Sequence, residues 1–179
     1  GAAENDALKI PYSIADRNVR ARSTLIAPFL SMLSLNEKRF AASAVIDFLS
    51  SVPVCQKWNF SDDDMSLLRG WIAGTAIRWG VDGRDREIHS GAAFSQNSFV
   101  EGMRRLVSGY AMKEEGVLSG GILPAEFAEG SSGKLLGYLA EIVDTLASFA
   151  RFMRESHSPA EWSQRLEALL GELFEPGEE

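Results

Sequence analysis

Leu135, Leu139, Ile142, Leu146, Phe149 and Met153 stand four, three, four, three and four residues apart. That spacing returns an apolar side chain to one face of a helix at every turn, so the stretch must coil and bury that face. The same rhythm runs through Phe99, Met103, Leu106 and Tyr110, and again through Trp162, Leu166, Leu169 and Leu173. Three such faces in one chain predict helix packed on helix, since each is stable only when covered. Few residues separate the last two faces, which predicts an antiparallel hairpin. Ser158-Pro159-Ala160-Glu161 marks the start of its second arm: a cap, proline at the first helical position and an acid at the third. A long glycine-rich connection from Lys113 to Gly133 leads into the first arm.

The upstream half reads the same way. Leu25, Ile26, Phe29, Leu30 and Leu33 make one apolar face, with Pro28 setting the helix start near Ala27 or bending it. A second helix is predicted from Ala42 to Ser51, with Val45, Ile46 and Leu49 inward. It lacks a capping side chain at Ala41, so its first turn is expected to be weak. Pro53 ends or restarts it, giving a short turn through Gln56. Ser61 and Asp64 have the spacing of a capping box, and Met65, Leu68 and Ile72 continue that helix inward. Residues 83–95 are polar, with at most one helical turn expected between Asp85 and His89. Only Leu8, Ile10, Tyr12 and Ile14 alternate as a strand would, and Pro11 confines that strand to an edge.

The predicted helix ends at Trp71-Ile72 and the chain turns through Ile77-Arg78-Trp79-Gly80-Val81-Asp82. Two tryptophans eight residues apart, with a glycine suited to positive φ after the second, predict an anchored corner. This corner resembles the RecC family, the gamma subunit of exodeoxyribonuclease V. Ile10-Pro11-Tyr12-Ser13-Ile14-Ala15-Asp16-Arg17, Leu106-Val107-Ser108-Gly109-Tyr110-Ala111-Met112, Gly121-Ile122-Leu123-Pro124 and Glu161-Trp162 follow as family landmarks in the family's order. The resemblance covers Ile10 to about Phe174 and implies an internal piece of a chain several times longer.

The reactive and charged residues along the chain favour structural roles. Gly133-Lys134 lacks the hydroxyl residue of a phosphate-binding loop, because Leu135 follows it and Ala128 stands where the first glycine belongs. Asp62-Asp63-Asp64 reads as capping and dipole complementation in preference to a cation site. Cys55 reads as a small hydrophobe; being the lone cysteine, it excludes an internal disulfide and suits a reducing cytoplasm. His89 and His157 are too scattered for a zinc site. No apolar run approaches the roughly 18 residues of a membrane span. Net charge −7 argues against a free-standing DNA binder. No catalytic, cofactor-binding or metal residue is assigned. The cationic positions Arg17, Arg20, Arg22, Arg78, Arg104 and Arg105, with Trp79, are candidates for contact with DNA or a neighbouring subunit, against the blander reading of a solvated surface.

The expected fold is all-α, an irregular helical bundle of about six to eight helices with an N-terminal extended edge segment. Residues 1–17 are expected to belong to a sheet of the parent protein, 18–175 to form a single α-helical accessory domain and 176–179 a disordered tail. The resemblance implies a helicase-like subunit without ATP-binding motifs. Such a subunit scaffolds RecB-like and RecD-like partners, helps split and channel DNA, and serves recombinational repair of broken ends in the bacterial cytoplasm. The isolated piece is expected to be monomeric, or weakly paired through its N-terminal strand, with no cofactor and no membrane contact. A stand-alone helical protein–protein interaction module and an accessory domain of an AddB-type or UvrD-type protein are the alternatives. The first would show as an exposed apolar patch of several hundred Å².

Overall fold

A computed structural model describes residues 23–111 and 132–175, and among these the chain is all-α, with eight helices and no strand. Helix α1 spans Ile26–Leu33 and α2 spans Ala42–Leu49; α3 is Val52–Trp58 and α4 is Asp62–Gly74. Then follow α5 at Gly83–Ser90, α6 at Phe99–Ala111, α7 at Gly133–Phe152 and α8 at Pro159–Leu173. The segments expected at 1–17 and 176–179, the Gly121–Pro124 landmark, and Arg17, Arg20 and Arg22 lie outside the described residues.

Two segments are more helical than expected. The turn through Gln56 is a seven-residue helix, because Pro53 sits in its first turn, where no intrahelical N–H is needed. Residues 83–90 form two full turns instead of one, capped by the Asp82 side chain, which accepts from the Asp85 N–H at 2.8 Å. The helix before the corner runs past Trp71-Ile72 to Gly74. Both expected capping boxes are present, Ser61 with Asp64 and Ser158 with Glu161.

The core is continuous through the molecule, and α7 runs along its centre. Leu135, Leu139, Ile142, Leu146 and Phe149 are all buried, and Leu136, Val143 and Ala150 bury a second side of the same helix. Phe99, Met103 and Leu106 of α6 are buried as their spacing predicts, whereas Tyr110 is 44% exposed and rests its hydroxyl beside Gly133. A Cβ at residue 133 would lie 2.5 Å from that hydroxyl, so the smallest residue lets the start of α7 meet the end of α6. Helices α7 and α8 form the expected antiparallel hairpin. Phe152 packs on Trp162 at 5.0 Å, and Ser148, farther back along α7, meets Arg165, farther on along α8, at 3.3 Å. The chain then returns Phe174 to the first helices. It packs edge-on against Phe48 at 5.7 Å and Phe29 at 6.3 Å, while the Glu175 N–H donates to the Pro53 carbonyl at 3.0 Å. No helix among the described residues is long and apolar enough to cross a membrane.

Candidate functional site

The corner begins where α4 ends. Ala76 lies in the left-handed region at φ 56°, its N–H donating to the Ala73 carbonyl and the Ile77 N–H to the Ile72 carbonyl. That is the Schellman pattern, built here on alanine where glycine is usual. Arg105 adds a guanidinium donor to the Thr75 carbonyl at 3.0 Å, neutralising the negative end of the helix. Arg105 is therefore committed within the domain.

From Arg78 to Asp82 nearly every main-chain polar group holds another element. The Arg78 carbonyl accepts from the Ala42 N–H at 2.8 Å and so supplies the cap that α2 lacks in its own side chains. The Arg78 N–H donates to the Asn97 carbonyl at 2.9 Å, and the Gly80 N–H to the Arg39 carbonyl at 2.9 Å. The carbonyls of Gly80 and Val81 accept from Phe99 and Val100, the first residues of α6, at 3.1 and 3.0 Å. Asp82 caps α5. One six-residue corner thus starts three helices, which is why the chain is organised around it.

Beneath the corner lies Arg86, 1% exposed. Its Nε and Nη2 donate to the Trp79 carbonyl at 3.2 and 2.7 Å, and Nη1 donates to the Gln96 carbonyl. The guanidinium carbon lies 4.6 Å from the Trp79 ring centre and 4.9 Å from that of Phe94, a cation set against two rings that themselves meet edge-on. Burial pulls its pKa down, while Glu101 and Asp85 push it back up. Gly80 makes room for this side chain. At φ 77°, a Cβ there would stand 2.9 Å from the Arg86 Cγ. Asp85, also 1% exposed, accepts from the Val81 N–H at 2.9 Å and pairs with Arg154 just beyond α7. The corner is thereby tied to the far end of the central helix.

Of the candidate contact residues, Arg78 is exposed and Trp79 half-buried, side by side at the apex. The Arg78 guanidinium makes no hydrogen bond or ion pair with a described residue, and neither does Arg104, which is exposed on α6. Sequence reasoning missed Arg86, Asp85 and Arg154. The Asp82-x-x-Asp85 spacing was a capping signal for α5, but nothing marked the other two.

Elsewhere the chemistry is quiet. Cys55 is half-buried and donates to the Leu49 carbonyl at 3.2 Å; burial pushes its thiol up and Asp62 adds to that, so no thiolate is favoured. Asp64 is held below the usual carboxylate range by the Ser61 hydroxyl and N–H, as a capping role requires. Among the described residues no three His, Cys, Asp or Glu side chains gather as a metal site would need.

Comparison with known proteins adds a family. Residues 22–179 match the family model described as RecBCD enzyme subunit RecC fourth domain. Similar curated proteins include the RecBCD enzyme subunit RecC of Haemophilus influenzae, 29% identical over 174 residues, covering 97% of this chain and 15% of that protein. The RecC subunit of Escherichia coli is 28% identical over 171 residues, covering 95% and 15%. That of Mycolicibacterium smegmatis is 29% identical over 166 residues, covering 92% and 15%. The chain spans about 15% of the length of these relatives.

Proposed function

The chain belongs to the RecC family and matches its fourth domain, and on that premise we propose that it is a non-catalytic scaffold element of a RecBCD-type helicase–nuclease. Its partners in this reading are RecB-like and RecD-like subunits, and its contribution is to DNA-end processing and recombinational repair. The observation that carries the reading is the presentation of Arg78. Both of its main-chain polar groups are hydrogen-bonded to other elements, yet its guanidinium is exposed and bonded to no described residue. A cation on a fixed mount suits a carboxylate on a neighbouring subunit, since Arg forms bidentate pairs with little loss of freedom. The net charge of −7 weighs against a phosphate backbone as the first choice.

The test is Arg78→Ala in the full-length RecC-type protein, with co-purification of its partner subunits and unwinding processivity as readouts. Weaker assembly or processivity is expected, with circular dichroism of the variant unchanged. Unaltered assembly and unwinding would remove the reading. Fluorescence anisotropy against a 3′-tailed duplex separates the DNA-channel role: no binding at low salt is expected, whereas binding that weakens steeply with salt would favour the channel.

A further inference from the structure

Between α6 and α7 runs an open groove of about 410 Å³. Its apolar lining is Val100, Met103 and Val107 from one helix and Ala140, Val143 and Ala147 from the other. On each helix these residues recur at intervals of three and four: Met103, Val143 and Ala147 form the buried floor, and Val100, Val107 and Ala140 stand higher at its sides, a furrow of the kind into which a third helix sets its ridge. The two alanines keep the α7 wall low, which lets a backbone approach closely. From Ala140 to Arg151 the groove is about 16 Å long at roughly 1.5 Å per residue, the length of a three-turn helix. Val107 is 49% exposed within it.

Charge names the occupant. Arg104 and Arg151 stand on the groove, both exposed, and neither pairs with a described residue. Asp144 shares the lining and would repel a phosphate backbone. We propose that this groove docks an amphipathic helix of another subunit, apolar on the buried face and carrying aspartate or glutamate at its rim to meet Arg104 and Arg151. Helix-in-groove recognition uses this combination of apolar anchors and flanking charge. The proposal deepens the scaffold reading and rests on it, but uses a surface separate from Arg78.

The experiment places a photo-reactive benzoylphenylalanine at Val107 in the full-length RecC-type protein assembled with its partner subunits. Cross-linked peptides are then mapped by mass spectrometry. The expected product joins residue 107 to an apolar helix of a different subunit bearing acidic residues, and Arg104→Glu with Arg151→Glu lowers its yield about tenfold. All three positions are exposed or half-exposed, so folding is not at stake. Cross-links confined to the same chain, to a second copy, to DNA, or to no macromolecule overturn the proposal. If Arg78→Ala weakens assembly while Val107 gives one of those outcomes, the groove inference fails and the scaffold reading stands.

Discussion

Replacing Arg86 by methionine isolates what the buried guanidinium contributes. Methionine keeps most of the stem's apolar contact but offers no donor. The Trp79 carbonyl would lose two charged donors, at 3.2 and 2.7 Å, in a place the side chain now seals. Stripping such an acceptor costs about 1–3 kcal/mol. The Gln96 carbonyl belongs to an exposed residue and can turn to water, so its loss counts for little. Removing the cation from the faces of Trp79 and Phe94 costs a further ~0.5–2 kcal/mol. Against this stands the desolvation that burial imposes on the charged form, which the neutral side chain relieves. The expected net loss is about 2–4 kcal/mol, read from urea unfolding of the 179-residue chain by tryptophan fluorescence. Arg86→Lys should recover only part, because one ammonium cannot span both carbonyls and the two rings. A loss below about 0.5 kcal/mol for Arg86→Met would show that the corner does not depend on its buried cation.

Two further perturbations act on the helix ends around the corner and in the hairpin. Ala76→Gly should raise stability by about 0.5 kcal/mol: glycine relieves the left-handed backbone, but its greater unfolded-state freedom offsets part of the gain; an unchanged or lower urea midpoint would contradict the strain assigned there. The capping boxes predict a pH response. Asp64 and Glu161 have folded-state pKa values depressed by their Ser61 and Ser158 bonds, so their contribution is complete above the ordinary carboxylate range and is lost as pH falls through the depressed values. Thermal midpoints followed from neutral pH to below about pH 3 should fall less steeply in a Ser61→Ala, Ser158→Ala double variant than in the parent chain.

The parts of this fold that could be read from sequence are those whose signal is local. The four-three rhythm placed α6, α7 and α8 because burial of one face leaves a periodic trace, and Ser61 and Ser158 announced their helices because caps act over three residues. Helix α5 left no such trace. Gly83–Ser90 has almost no apolar period, and it is held by polar groups turned inward, Asp85 and Arg86, which a hydrophobic pattern misses. The Asp85–Arg154 pair joins residues 69 positions apart, and no spacing encodes it. The weak first turn expected for α2 is likewise answered from a distance, by a carbonyl at Arg78. The candidate site was half legible. The corner stood out by its tryptophans and glycine, but which arginines face outward is decided by tertiary partners.

That division gives the corner its functional consequence. Arg86, Arg105 and Arg154 are spent inside the domain on carbonyls and a buried carboxylate, whereas Arg78 and Arg104 are left exposed. Arg78 differs from Arg104 in its mount. Arg104 projects from the surface of one helix, but Arg78 belongs to a main-chain segment that caps α2 and is pinned to the loop before α6. Any drift of that segment would uncap helices, so its position is fixed by the same bonds that fold the domain. An intermolecular contact through Arg78 then costs only side-chain rotamer freedom, since the backbone is already ordered. Loosening the mount should therefore weaken assembly even with Arg78 intact. Asn97→Pro, which leaves the Asn97 carbonyl but forces its φ of 62° into proline's negative range and removes the N–H that donates to the Glu101 carboxylate, is the perturbation that loosens the mount with the Arg78 charge in place.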